Sequence, residues 1–179
     1  MSDELAAYVF EVADWGWIAV AASERGLRTL ILPRPSRAEA LDALRDHYPD
    51  APMASDHPLL LEAERQVTAY LRGELTEFTL PLALRGHTSF ALSVWAAAGK
   101  IGYGETQVYR WVADQLGGEP RGGGIYQAVG SALGANPAPL IIPCHRVIGS
   151  DDSLTGYAGG LDMKARLLAM ETGQGMLAF

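Results

Sequence analysis

Residues 136–148 read Asn-Pro-Ala-Pro-Leu-Ile-Ile-Pro-Cys-His-Arg-Val-Ile, and they contain Cys144, the single cysteine of this 179-residue chain. Prolines at positions 137, 139 and 143 restrict φ and remove backbone donors, so the stretch is predicted to be extended rather than helical. A fixed backbone can hold an attacking atom in a reactive geometry. A thiol becomes a good nucleophile once it is ionised, and the neighbouring His145 is a base that could produce the thiolate.

Two interpretations of Cys144 remain open from the residue pattern alone. Adjacent side chains of an extended chain point to opposite faces, so His145 would reach the Cys144 sulfur only through a turn or a bridging water. A single cysteine is also commonly a small buried apolar residue. Spacing alone therefore leaves a catalytic cysteine and a structural one equally open.

Short helices are predicted on the N-terminal side of this stretch. Apolar periodicity favours helices over residues 89–98, 106–116 and 125–133, and a glycine-rich turn separates the last two. Two short helices joined by a turn resemble a helix-turn-helix. The last helix carries small residues that would let it approach a DNA groove, although close packing against another helix is the commoner meaning of such residues.

Three short strands are predicted near the start of the chain. They are rich in β-branched and aromatic residues, and only a few turn-forming residues separate them. Short separators are typical of an antiparallel meander. The strands span residues 8–12, 16–22 and 27–32.

Two helices are predicted to follow the strands, over residues 37–48 and 58–71. Ser36 lies in the N-cap position of the first, and Glu39 stands three residues later in the capping-box position. Residues 74–88 contain a proline and a glycine and are interpreted as an extended connector.

The pattern as a whole predicts an α+β fold with a domain boundary in that connector. We expect a small N-terminal antiparallel-sheet domain at residues 1–84 and a C-terminal helical domain of winged-helix or helix-turn-helix type at residues 85–179. The formal net charge is −7, and residues 1–84 carry 7 Lys and Arg against 14 Asp and Glu, while residues 85–179 carry 7 of each. The second half can therefore bind a phosphate backbone only if its Lys and Arg side chains cluster on one face.

Composition also excludes several classes of protein. One cysteine cannot form an intramolecular disulfide or a zinc site built from several thiolates. No apolar run has the roughly 18 residues that a membrane span requires. The acidic start of the chain lacks the basic region of a signal peptide. We expect a reduced, soluble, cytoplasmic protein that does not associate with membranes.

Beyond these patterns, Pro143-Cys144-His145-Arg146-Val147 resembles the active-site signature of the O6-alkylguanine-DNA alkyltransferases. Other motifs resemble this family in order and spacing over about residues 86–172, and the first half of the chain matches only loosely. The combination is highly specific. The other motifs are Val94-Trp95, Tyr103-Gly104-Glu105-Thr106, Ala128-Val129-Gly130, Asn136-Pro137, Gly156-Tyr157-Ala158-Gly159-Gly160-Leu161, Lys164 and Leu167-Leu168-Ala169-Met170-Glu171.

Several properties of the chain follow from the resemblance. It implies a ribonuclease-H-like first domain and a DNA repair protein that flips O6-alkylguanine out of double-stranded DNA and transfers the alkyl group irreversibly to its own cysteine in a single turnover. It implies no cofactor, because the protein supplies both catalyst and acceptor. Structural zinc in some relatives is held by cysteines of the first domain, which has none here, so we expect no metal. We also expect a monomer.

Catalytic roles carried over from the resemblance fall on five residues. Cys144 is the acceptor nucleophile, His145 is the base that acts through a water, and Glu171 orients the histidine. Tyr109 corresponds to the family's tyrosine, which donates a proton to the leaving guanine. Asn136 corresponds to the asparagine whose side chain holds the cysteine loop. The neighbouring arginine, at position 146, is expected to form a structural ion pair.

The resemblance also implies a pocket for the flipped base. The backbone carbonyls of Cys144 and Val147 would accept from the guanine amine, and the backbone N–H of Ala158 would lie near O6. Gly159 belongs to a glycine pair compatible with a lid. The remaining pocket residues are Tyr157 and Pro139.

DNA-binding residues are expected on the last predicted helix and the turn before it, and here the chain departs from the family. The family usually has an arginine that fills the space of the flipped base, and Gln127 stands at that position. Because residues 125–133 contain no Lys or Arg, an alternative function is reaction of the same thiol pocket with free alkylated bases or another small electrophile, without efficient duplex binding. The expected DNA-binding residues are Arg121, Tyr126, Gln127, Ala128, Gly130 and Ser131.

Overall fold

A computed structural model describes residues 4–117 and 124–174 of the chain. The described residues separate into two compact units, with the boundary between Arg85 and Gly86. In chain order the elements are β1 (Ala6–Val12), β2 (Gly16–Ser23), β3 (Gly26–Arg34), α1 (Arg37–Arg45), α2 (Pro58–Leu71), α3 (Ser89–Ala98), β4 (Gln107–Val108), α4 (Tyr109–Gln115), α5 (Gly124–Gly134), a 3₁₀ helix (Cys144–Arg146), β5 (Val147–Ile148) and α6 (Leu161–Glu171).

The first unit contains a three-stranded antiparallel sheet in the order β1-β2-β3, which confirms the predicted meander. The turn into β3 requires a glycine at position 26, where φ is +148° and a Cβ would lie 2.7 Å from the Pro81 carbonyl oxygen. Helices α1 and α2 contact the sheet. Alternate residues of the strands, such as Val9, Ala19 and Ile31, pack with Leu44 of α1 in a buried apolar cluster.

The helices of the first unit begin where the sequence predicts. The Ser36 side chain accepts from the Glu39 backbone N–H and caps α1, and α2 spans the predicted residues. Helix α1 ends at Arg45 rather than at residue 48, because the His47 N–H donates to the Leu44 carbonyl three residues back and interrupts the four-residue hydrogen-bond pattern of the helix.

Three helices, α3, α4 and α5, pack against one another in the second unit. Helix α3 spans the predicted residues, and the buried indole N–H of its Trp95 donates to the Ala132 carbonyl of α5 at 2.8 Å. This hydrogen bond lets the polar edge of a large aromatic side chain sit in an apolar core.

The helix predicted over residues 106–116 is wrong at its start. Gln107 and Val108 form β4, which pairs in parallel with Val147 and Ile148 of β5, and α4 begins only at Tyr109. The pairing partner is about forty residues away, so local periodicity contains no sign of it. Among residues 4–117 and 124–174, no helix has the length and apolar character to cross a membrane.

Candidate active site around Cys144

Cys144 lies at the start of the 3₁₀ turn Cys144–Arg146, which we call the cysteine turn. The Cys144 N–H donates to Ile142 O at 2.8 Å, and the Arg146 N–H donates to Pro143 O at 3.0 Å. The prediction of an extended backbone is therefore wrong at these three residues. Four residues before the cysteine, Leu140 has φ +74°, a region that residues with a Cβ rarely occupy, so the approach to the turn is sharply bent.

The side chain of Arg146 anchors the cysteine turn. Its guanidinium donates from Nε and Nη2 to the Glu171 carboxylate, at 2.8 to 3.1 Å, and from Nη1 to the Ile101 carbonyl at 2.7 Å. Glu171 also accepts from the Gly104 N–H at 3.1 Å. A buried arginine held by two segments distant in sequence favours the turn over the extended chain that the prolines alone predict.

His145 contacts the same carboxylate. Its Nε2 lies 2.9 Å from Glu171 Oε1, and the histidine is fully buried. An ionised carboxylate only accepts hydrogen bonds, so Nε2 carries the ring proton and Nδ1 bears the lone pair. Burial lowers the pKa of His145 below its usual value, against the opposing effect of the hydrogen bond to Glu171, so the imidazole is neutral at neutral pH.

Asn136 connects the Cys144 sulfur to the loop in front of it. Its Nδ2 group donates to Cys144 Sγ at 3.1 Å and to the Ile142 carbonyl at 2.9 Å, and its Oδ1 accepts from the Ala138 N–H at 3.0 Å. Burial raises the pKa of the Cys144 thiol, and the Asn136 hydrogen bond opposes that effect. The asparagine therefore both shapes the loop and stabilises the thiolate.

Lys164 is a site residue to which the sequence analysis assigned no role. It is fully buried on α6, and its Nζ donates to the Val147 carbonyl at 2.6 Å and to the Thr155 carbonyl at 2.8 Å. Burial lowers its pKa to about 8, and its charge favours the Cys144 thiolate. The helical spacing of Lys164, Leu167 and Glu171 places all three on the buried face of α6, and two charged residues in such a stripe are the sequence signal for this role.

A cavity of about 1120 Å³ opens beside the sulfur. It is large enough for a purine with its substituent. The expected site residues on its wall are Cys144, Tyr109, Asn136, Pro139, Tyr157 and Ala158, together with Tyr126, Gln127 and Gly130 of α5.

Other expected residues lie elsewhere. Val147 is fully buried, and its carbonyl accepts from Lys164. Ala128, Ser131 and Gly159 are not among the residues that line the cavity. The expected DNA contact at Arg121 lies outside the described residues.

Two tyrosines that line this cavity differ in the hydrogen bonding of their hydroxyl groups. The Tyr109 hydroxyl accepts a hydrogen bond from Thr155 Oγ1 at 3.0 Å. The Tyr157 hydroxyl is buried and has no hydrogen-bond partner within the described parts of the chain, and burial, reinforced by the charges of Cys144 and Glu171, raises its pKa well above the usual value. Tyr157 therefore presents a neutral phenol close to the thiol.

No group of three or more His, Cys, Asp or Glu side chains among residues 4–117 and 124–174 could hold a metal ion. The described site contains one thiol, one neutral imidazole oriented by a carboxylate, and a buried cation. This combination supports nucleophilic attack by sulfur.

Comparison with known proteins identifies the family. Residues 9–84 match the family model described as 6-O-methylguanine DNA methyltransferase, ribonuclease-like domain, and residues 89–173 match the one described as 6-O-methylguanine DNA methyltransferase, DNA binding domain. The chain belongs to the O6-methylguanine DNA methyltransferase family. Family membership confirms the resemblance seen in the sequence and the ribonuclease-like character of the first domain.

Curated relatives agree over most of the chain. A methylated-DNA–protein-cysteine methyltransferase of Methanosarcina barkeri is 45% identical over 157 residues, which is 87% of this chain and 90% of the relative. The inducible methylated-DNA–protein-cysteine methyltransferase of Bacillus subtilis is 37% identical over 158 residues, covering 88% and 85%.

Solved structures of the same fold come from Mycobacterium tuberculosis. Its O6-methylguanine methyltransferase is 35% identical, with a TM-score of 0.77 and coverage of 97% of this chain and 96% of that one. A crystal structure of the M. tuberculosis protein in complex with DNA is 36% identical, with a TM-score of 0.77 and coverage of 94% of both chains.

Proposed function

We propose that Cys144 is the acceptor of the alkyl group in the reaction of this family. As a family member, the chain is a DNA repair protein that transfers an alkyl group from DNA to its own cysteine. The thiolate attacks the alkyl carbon of O6-alkylguanine, a sulfur–carbon bond forms, the carbon–oxygen bond breaks, and its electron pair stays on O6. The observation that carries this assignment is that Cys144 lines a cavity large enough for a purine, with its sulfur hydrogen-bonded to Asn136.

His145 takes the thiol proton in this proposal. Because its Nε2–H is held by Glu171, the ring nitrogen that accepts is Nδ1, and the proton reaches it from Sγ through a water. The imidazolium formed is stabilised by the same carboxylate. The cation of Lys164 and the Nδ2–H of Asn136 stabilise the negative charge left on sulfur.

Guanine leaves with the electron pair of the broken bond and needs a proton. We assign its donor to the hydroxyl of Tyr109, which lines the cavity that also exposes the sulfur. Pro139, Tyr157 and Ala158 form part of the wall around the base in this assignment. Carbonyls of Cys144 and Val147 remain the proposed acceptors for the guanine amine, with Val147 O held in place by Lys164.

Duplex DNA is the partner, and α5 is the proposed element at the groove. Tyr126 is 43% exposed, Gln127 is exposed too, and both reach the cavity wall, so they lie where an extruded base would pass. The small residues Ala128, Gly130 and Ser131 keep the helix slim for close approach. A DNA-binding family domain favours duplex DNA over the alternative in which only free bases react.

Gln127→Arg is expected to strengthen duplex binding. Helix α5 has no cation of its own, and an arginine at this exposed position adds one phosphate or base-stack contact. Titration of labelled duplex at several salt concentrations should show tighter binding and a slope in log K against log[salt] steeper by about one. The rate with free O6-benzylguanine should stay the same, and an equal gain with the free base would contradict a DNA-contact role.

The rate of alkyl transfer is expected to fall as the pH is lowered. Burial holds the pKa of His145 below 6.5, so the imidazole is neutral at pH 7 and becomes protonated as the pH falls through that lowered value. A protonated imidazole cannot take the thiol proton, so the rate should be constant near neutrality and decrease only as the pH falls through the lowered pKa of His145. Single-turnover rates with free O6-benzylguanine measure this without the pH dependence of DNA binding. A rate that shows no decrease at any acid pH at which the protein stays folded would remove His145 from the base role.

The direct test is the intact mass of the protein after incubation with a duplex that carries O6-methylguanine. A gain of one methyl group located on Cys144 by peptide mapping supports the proposal, and an unchanged mass refutes it. The same experiment with unmodified guanine is the control. Sedimentation of the free protein tests the proposed monomer. The proposed cytoplasmic location is supported by the need for a reduced thiol.

A further inference from the structure

Thr155 connects two parts of the site, the Tyr109 hydroxyl and the buried amine of Lys164. Its Oγ1–H donates to the Tyr109 hydroxyl at 3.0 Å, and both residues line the cavity with Cys144. Neither composition nor the motif around the cysteine indicates this contact, because the two residues are 46 positions apart.

The backbone of Thr155 is held by a second contact, with Lys164. Its carbonyl accepts from the buried Nζ of Lys164, which also holds the Val147 carbonyl next to the cysteine turn. The backbone of Thr155 is therefore bound to the same cation whose charge favours the Cys144 thiolate, and this contact positions the threonine relative to the cysteine turn.

The Tyr109 ring is bounded on its other side by α5. A Cβ at Gly130 would lie 3.7 Å from Tyr109 Cε1, which is ordinary van der Waals distance, so the ring lies against the glycine surface of the helix. Tyr109 is also the first residue of α4, where β4 ends. Packing fixes the ring, and the hydrogen bond from Thr155 fixes its hydroxyl.

We propose that Thr155 is a positioning residue for alkyl transfer, acting through Tyr109; this inference rests on the function proposed above. A hydroxyl has one proton, so when Thr155 donates to the tyrosine oxygen, the phenolic proton remains available for the base in the cavity. As the guanine takes that proton, negative charge grows on the phenol oxygen, and the Thr155 O–H stabilises it. The proton that His145 took from the thiol then passes through water to the phenolate, so both side chains return to their neutral forms.

Four variants test the proposal through single-turnover rates with O6-methylguanine duplex. Thr155→Val keeps the shape and removes the donor, and a slowing of about tenfold is expected. Thr155→Ser restores a hydroxyl and should recover most of the rate. Tyr109→Phe should slow transfer by about 10²-fold, and adding Thr155→Val to it should cause no further loss.

Two outcomes would overturn the positioning role. One is a wild-type rate in Thr155→Val, and the other is an equal slowing by Thr155→Val in the Tyr109→Phe background, which would indicate a purely structural effect. Thr172→Val is the matched control, because Thr172 is exposed at the end of α6 and its hydroxyl donates only to backbone carbonyls of its own helix. Its rate should equal that of the wild type.

The same measurements separate this inference from the function on which it depends. If wild-type Cys144 gains no alkyl group from any O6-alkylguanine, both proposals fail. If the wild type is alkylated and Thr155→Val reacts equally fast, only the role of Thr155 fails. The rate of Cys144 with iodoacetamide should be the same in wild type and Thr155→Val, because that reaction needs no proton from Tyr109.

Discussion

Cys144→Ala is expected to abolish alkyl transfer and to leave duplex binding intact. The described residues contain one sulfur at the cavity wall, and the transferred group has no other thiol to occupy, since the sequence has one cysteine. The substitution removes one buried sulfur and creates a small cavity, for which a stability loss of the order of 1 kcal/mol is expected. The exposed face of α5 does not change, so affinity for DNA should be retained.

Two measurements on this variant test the acceptor role of Cys144. Intact mass after incubation with O6-methylguanine duplex should show no gain, while a gel-shift titration with the same duplex should match the wild type. Cys144→Ser serves as a second variant that keeps the hydrogen-bonding partner of Asn136 but lacks a nucleophile of comparable strength. Methylation of Cys144→Ala at any other residue would refute the acceptor role of the cysteine.

Local patterns predicted most elements of the fold. The β1-β2-β3 meander follows from β-branched runs with short separators, and α2 and α3 follow from apolar periodicity. In each case the sequence signal, a short turn or an apolar repeat, lies within a few residues, so a short window contains it.

Elements set by distant contacts could not be predicted in this way. Strand β4 forms because Gln107 and Val108 pair with Val147 and Ile148, and the cysteine turn is held by an arginine whose partners are 25 and 45 residues away. Proline content alone indicated an extended chain there. A window of about a dozen residues includes neither partner.

In the site, too, local features could be predicted and contacts between distant residues could not. The presence of a thiol beside an imidazole was visible from two adjacent residues, but spacing gave no sign that Glu171 meets His145 across 26 positions. That pairing entered only through resemblance to a family. Lys164 and Thr155 had no assigned role, because a buried lysine is recognised only when the packing around it is known.

Glu171→Gln is expected to destabilise the second unit by about 3–5 kcal/mol. The carboxylate side chain has no solvent exposure, and it accepts from the Arg146 guanidinium, from His145 Nε2 and from the Gly104 N–H. An amide removes the negative charge and turns an N–H group toward the arginine, which leaves a guanidinium with 8% side-chain exposure uncompensated. Urea unfolding of the purified protein measures the loss.

A matched substitution separates burial from charge. Asp114→Asn removes a carboxylate that lies 4.0 Å from Arg110 on α4, but both of those side chains are mostly exposed, so its stability should be close to that of the wild type. Equal losses of unfolding free energy in Glu171→Gln and Asp114→Asn would show that the buried carboxylate stabilises the protein no more than an exposed one.

A double variant tests the reason for the loss. Arg146→Met removes the buried cation, so Arg146→Met/Glu171→Gln contains no unpaired buried charge and should be more stable than the sum of the two single effects predicts. Transfer should still be slow in the double variant, by about 10²-fold or more, because His145 lacks the charge that stabilises its imidazolium. Recovery of stability without recovery of the single-turnover rate would assign Glu171 two separable tasks, one in folding the cysteine turn and one in orienting the base. Strict additivity of the two losses would contradict that explanation.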